Sequence, residues 1–168
     1  RSISSYNGFE ASITNPTIAV TVTSSGNDPE DGALGTAYGV FNIPGKQNND
    51  AEVTGALLTV GGDTSTVSFT TSANGVSRGI YAAGGLGSDV IVNGASLTLD
   101  ATSAESVAHG IVALNNSTVT VNSDTINISA NGATRARALE ASGSTGIGTV
   151  ILGKDSSVTT LNATAKNG

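Results

Sequence analysis

This sequence has no cysteine, no methionine and no tryptophan among its 168 residues. Without thiols there can be no disulfide staple and no thiolate metal site. With three Phe and three Tyr as its only aromatics, the chain has little with which to fill a wide core. A lone histidine, His109, leaves a zinc site or a nucleophilic triad without its other parts. Basic residues are scarce too: seven Lys and Arg against thirteen Asp and Glu, a net charge of −6. That balance argues against nucleic acid, which needs a clustered basic footprint, and against an anionic membrane surface. No stretch approaches the roughly 20 apolar residues of a membrane-spanning helix, and no basic leader with an apolar core is present. A start at Arg1 and a repeat still running at Ala163-Thr164 predict a processed or excised piece of a longer chain. The absence of cysteine suits a chain exported unfolded.

What is abundant is small and β-tolerant: Gly 22, Thr 22, Ser 21, Ala 21 and Asn 15. The apolar residues are periodic and the charge density low, so the chain is not disordered. A three-part phrase recurs along it. One copy reads Arg78-Gly79-Ile80-Tyr81-Ala82, then Asp89-Val90-Ile91-Val92, then Ser96-Leu97-Thr98-Leu99. The next reads His109-Gly110-Ile111-Val112-Ala113, Thr118-Val119-Thr120-Val121 and Thr125-Ile126-Asn127-Ile128. A third begins at Arg137-Ala138-Leu139-Glu140-Ala141 and continues through Thr149-Val150-Ile151-Leu152 and Ser157-Val158-Thr159. Val67, Leu97, Ile126 and Val158 are spaced by 30, 29 and 32 residues. A fixed period of a few short strands is the mark of a solenoid.

The fold expected is all-β: a right-handed parallel β-helix of about five turns, with three short strands in each turn of roughly 30 residues. Strict alternation, as in Thr66-Val67-Ser68-Phe69-Thr70, marks half-buried strands. The turns between are too short for a helical crossover. The expected inward ladders are Val40/Ile80/Ile111/Leu139, Val60/Val92/Val121/Leu152 and Val67/Leu97/Ile126/Val158. A small residue (Gly39, Gly79, Gly110 or Ala138) precedes each member of the first. The rival is an antiparallel sandwich of short hairpins. Residues 1–168 read as one unit: irregular N-terminal turns over 1–36, with Thr17 to Thr23 a third-class strand, and regular coils over 37–165. Val40 to Ile80 is 40 residues, which places an insert near 44–52.

Few residues promise chemistry. The acidic loop Asp28, Glu30, Asp31 has oxygen ligands for calcium, but its spacing fits neither an EF-hand nor tandem nonapeptide repeats; it reads as a solvated loop. Asp89, Asp100, Asp124, Glu140 and Asp155 fall singly on different strand classes, unlike the converging acids of a polysaccharide hydrolase or lyase. Gly84-Gly85-Leu86-Gly87 is followed by no helix pattern and reads as a wide turn, not a phosphate loop. His109 occupies the position of Arg78 and Arg137 in neighbouring turns and reads as a turn or rim residue. The expectation is therefore no enzyme, no metal and no cofactor. The outward rows of the third strand (Thr66, Ser68, Thr70; Ser96, Thr98, Asp100; Thr125, Asn127, Ser129) are flat arrays of hydroxyls and amides. Such arrays suit sugar hydrogen bonding, docking of another solenoid, or, with stricter Thr-x-Thr rungs than these, ice. Candidate lateral contacts are Thr66, Ser68, Thr98, Asn127 and Ser129, with the inserts at Asp28, Glu30 and Asp31 and at Lys46 to Glu52.

The cysteine-free texture of "G-I/V-x-A", "S/T-V-T-V" and "I-N-I-S-A" over about residues 37–165 resembles autotransporter passenger domains of Gram-negative bacteria, the self-associating adhesin and pertactin-like groups in particular. The resemblance implies a right-handed β-helix, export to the cell surface, and adhesion or aggregation through itself or a host glycan or protein. It implies no insertion of this stretch into a membrane. The chain carries no β-barrel translocator, no protease domain and no Arg-Gly-Asp tripeptide, so the resemblance leaves the ligand open. A polysaccharide-active β-helix enzyme and a purely structural stalk are the alternatives.

Overall fold

The computed structural model describes residues 3–5, 10–26, 33–43, 56–84, 87–153 and 160–167. They form thirteen strands: β1 (Ile3–Ser5), β2 (Glu10–Ile13), β3 (Thr17–Ser24), β4 (Ala37–Asn42), β5 (Leu57–Val60), β6 (Thr66–Ala73), β7 (Ser77–Ala83), β8 (Asp89–Ser103), β9 (Val107–Leu114), β10 (Thr118–Gly132), β11 (Arg135–Ser142), β12 (Thr149–Leu152) and β13 (Thr160–Asn167). There is no helix among them, and every pairing is parallel. The antiparallel sandwich is excluded for these residues. The chain is a parallel β-solenoid of about three turns, repeating about every 31 residues, where the sequence predicts about five. Shorter or less buried strands at the two ends extend each ladder to five rungs.

The ladders pair as their spacing predicts. Val40, Ile80, Ile111 and Leu139 stand in register on one sheet, as do Val60, Val92, Val121 and Leu152 on the other. Val67, Leu97 and Ile126 follow suit. β1, β2 and β3 add Ile3, Ile13 and Ile18 beneath these columns, which makes the N-terminal segment an earlier turn. Like side chains therefore stack about 4.8 Å apart in a narrow column, filled by Val, Ile, Leu and Ala. Val92, Val121, Leu97 and Ile126 are fully buried.

Two expectations change. Three sheets per turn become two, ordered β1-β4-β7-β9-β11 and β12-β10-β8-β5-β2, because β8 and β10 run unbroken through the second and third strand classes. Within β8 the inward phase passes from Val90, Val92 and Gly94 to Leu97, Leu99 and Ala101, with Ala95 and Ser96 both facing outward between them. Two consecutive outward residues make a corner, so three side-chain faces survive on two sheets. The second change is at the C-terminal end. Ile126 pairs with Leu161, not with Val158, which lies outside the described residues. This last step is 35 residues, against 30 and 29 for the two before it.

The small residue ahead of the first ladder has a packing reason. A Cβ on Gly79 would overlap the Leu99 side chain, one on Gly110 would overlap Ile128 and the Ala138 carbonyl, and one on Gly39 would crowd Phe69. In each turn the second inward residue of the third strand reaches across and lies on this backbone. At the last turn Ala163 takes the place of Ile128, and there an alanine, Ala138, is accommodated on the adjacent β11. Polar ties close the turns: buried Asn42 donates to the carbonyls of Ala56 and Asp89 at 2.8 and 2.9 Å. Asn115 and Asn116 take left-handed conformations, φ 52° and 63°, which asparagine tolerates better than other non-glycine residues.

Candidate functional site

Outside the core, the third-strand face is a lattice. Its register aligns Thr17, Thr66, Ser96, Thr125 and Thr160 in one column and Ala19, Ser68, Thr98, Asn127 and Asn162 in the next. The third column is Thr21, Thr70, Asp100, Ser129 and Thr164, and the fourth Thr23, Ser72, Thr102, Asn131 and Lys166. Columns lie about 6.6 Å apart and rungs about 4.8 Å. The candidates Thr66, Ser68, Thr98, Asn127 and Ser129 are thus brought together on one outward surface, where they are exposed or half-exposed. Asp28, Glu30, Asp31 and the Lys46 to Glu52 insert lie outside the described residues. Amides tie rungs together: Asn162 donates to Asn127 Oδ1 at 2.8 Å, and around the corner Asn122 donates to Asn93 Oδ1 at 2.9 Å. Asp100 and Lys166 are the only charges among these four columns.

The first-strand sheet carries a second surface that the sequence reading missed. Pairing sets Tyr38, Arg78, His109 and Arg137 in one outward column and Phe41, Tyr81, Val112 and Glu140 in the next. Phe41 and Tyr81 stack with ring centroids 5.5 Å apart, and Tyr38 meets both edge-on at 4.8 and 5.6 Å. Arg78 lies over them: its Cζ is 4.6 Å from the Tyr81 centroid and 5.6 Å from that of Tyr38, and its Nη1 donates to the Tyr38 hydroxyl at 2.9 Å. Burial raises the Tyr81 hydroxyl pKa, with Arg78 opposing. A usable signal existed: each pair of columns sits one residue before and two residues after the Gly39/Gly79/Gly110/Ala138 position.

His109 corrects an expectation. It shares the column of Arg78 and Arg137 as the sequence indicates, but it is no turn or rim residue. It sits within β9 and is only 4% exposed, with neither ring nitrogen hydrogen-bonded. Its Nδ1 lies 3.2 Å from Glu140 Oε2 but is poorly angled for a hydrogen bond. Glu140 Oε1 accepts from Arg137 Nη1 at 2.5 Å. Burial lowers the His109 pKa to about 4; Glu140 opposes this, while Arg78, Arg137 and Arg135 add to it. His109 is therefore neutral at pH 7, and the patch of Arg78, Arg135, Arg137 and Glu140 carries a net +2 (three positive, one negative) on a chain of −6.

The remaining acids stay separate. Asp89 opens β8 and accepts from the Thr118 amide at 3.0 Å, Asp100 is on the third-strand face, and Asp124 is at the β10 corner. Asp155 lies outside the described residues. Among those described, no three of His, Asp or Glu gather closely enough to hold a metal ion, and no helix is long and apolar enough to cross a membrane. Set against protein-family models, curated proteins and solved structures, the chain matches none.

Proposed function

We propose that this solenoid is a non-enzymatic stretch of a surface-displayed or secreted bacterial adhesin, of the autotransporter passenger type, that works by extended lateral contact. The observation that carries the reading is the third-strand lattice: four columns by five rungs of mostly hydroxyl and amide side chains, held in register by parallel pairing. Short side chains lose little rotamer freedom when a partner covers them. Each contributes a modest hydrogen bond, so affinity comes from repetition along the axis. A second copy presents the same lattice and is the natural first partner; a host glycan or protein is the other. The family resemblance in the repeat phrase supports export and display.

Thr98→Lys combined with Asn127→Lys places two cations on adjacent rungs of one column. Displayed on cells, the double variant is expected to lose most aggregation while its thermal unfolding stays close to that of the parent. Aggregation undiminished in the double variant would overturn lateral contact through this face.

A further inference from the structure

The aromatic and arginine surface of the first-strand sheet is not used by the lattice. We infer that it binds an acidic oligosaccharide, with a sugar carboxylate on Arg78 and its neighbouring arginines and a pyranose ring against Tyr38 and Tyr81. This deepens the reading of the chain as a binding module by naming a ligand class for a separate face.

Four observations converge on an anion. Three of the four described Lys and Arg residues (Arg78, Arg135 and Arg137, but not Lys166) lie on this sheet. Arg78 has no carboxylate partner among the described residues, and its Nε is buried without a hydrogen bond. A part-buried guanidinium held only by ring faces and a phenol is left with charge to satisfy. Beside it, His109 is 96% buried with both ring nitrogens unpartnered, so its single ring N–H is a donor that the sheet's own residues do not use. Glu140 neutralises only one of the three arginines. Those four side chains thus present a net +2 to an incoming carboxylate, on a chain of −6.

The same surface favours a saccharide over an acidic peptide. β4 and β7, which carry Tyr38, Arg78 and Tyr81, are paired on both sides, so an extended chain cannot add to the strands that hold the aromatic cluster. What is offered is a pair of half-exposed tyrosines, their rings at 65° to each other, with Arg78 beside both. Aromatic rings that take C–H contacts, phenols that exchange hydrogen bonds with hydroxyls, and an arginine fork for a carboxylate together match a uronic-acid unit.

The test is calorimetric titration of the intact chain at pH 7 with tri-galacturonic acid, beside maltotriose as the uncharged sugar and hexaglutamate as the acidic peptide. Saturable binding of tri-galacturonate alone is expected, and Arg78→Gln should weaken it by roughly tenfold or more, the loss of a charge-assisted contact. Should Arg78→Gln unfold, Arg78→Lys keeps the charge, loses the fork, and should weaken binding by about threefold to tenfold. The His109 ring proton resonances should move on saturation. No saturable binding, equal binding of maltotriose or hexaglutamate, an affinity within about twofold of the parent in the folded arginine variant, or an unmoved His109 signal each overturns the assignment. The Thr98→Lys/Asn127→Lys variant should bind tri-galacturonate like the parent, so failure of the lattice and failure of this site are told apart.

Discussion

The first-strand and third-strand faces are built on the same parallel ladders, yet their outer chemistry is opposite. On the third-strand face the first column barely changes from rung to rung (Thr66, Ser96, Thr125 and Thr160), and the others stay mostly hydroxyl or amide. On the first-strand face each rung is different, running Tyr38, Arg78, His109 and Arg137. Inside, both faces obey the same rule of stacked Val, Ile and Leu. The repeat is thus enforced by the core, where every turn must fill the same narrow section, and is free to vary outside. A uniform column can act only by extension along the axis. A mixed column can make a localised site.

Substituting inside and outside should therefore give very unequal results. Ile126→Asp puts an unpaired carboxylate in the fully buried third ladder and should cost on the order of 4 kcal/mol or more, enough to melt the central turns by circular dichroism. Thr120→Asp, on the outer side of the same strand, should stay within about 1 kcal/mol. Comparable losses in the two would break the idea that only the interior is constrained.

The next effect separates the faces by pH. His109 has a folded pKa of about 4, below the ordinary value of about 6.5. Above that ordinary value both states are neutral and nothing depends on pH. As pH falls from about 6.5 to about 4 the unfolded chain takes a proton that the folded chain resists, so stability is lost across that window, by up to about 3 kcal/mol. Urea unfolding at pH 7 and pH 4 should show this loss, reduced in His109→Gln. An identical loss in that variant would mean the first-strand face is not where the proton is refused.

A smaller effect probes the seam between core and surface. Gly110→Ala should cost about 1–3 kcal/mol by overlap with Ile128 and the Ala138 carbonyl, and Ile128→Ala added to it should recover the side-chain part of that loss, as the natural Ala138 and Ala163 turn implies. Strict additivity in the double-mutant cycle would show that the two residues do not share space.

How far the sequence was legible follows from the same division. Val92 and Val121, or Leu97 and Ile126, could be paired by counting 29 residues, because core positions must repeat. Leu161 could not be distinguished from Val158, since a slip inside a turn shifts no core composition. The merging of β8 across its corner was hidden because Asn93-Gly94-Ala95-Ser96 reads equally well as a turn. Thr98 and Asn127 were legible as one outward row through their alternation with Leu97, Leu99, Ile126 and Ile128. The Tyr38, Phe41, Arg78 and Tyr81 cluster was not. Its members keep fixed offsets from Gly39 and Gly79, but their residue types differ from rung to rung and Tyr38 stands 40 residues from Arg78, so only the offset, and no shared chemistry, marks them as one surface.

The turn-upon-turn bonding has a mechanical consequence. Among the described residues each coil's strands pair only with those of the coils above and below it, so a force applied between the chain ends can peel one coil without disturbing the rest. Each release frees about 31 residues, roughly 100 Å of slack at full extension. Under tension the molecule should yield as a staircase of such steps, absorbing load repeatedly where a single cooperative domain would give way once.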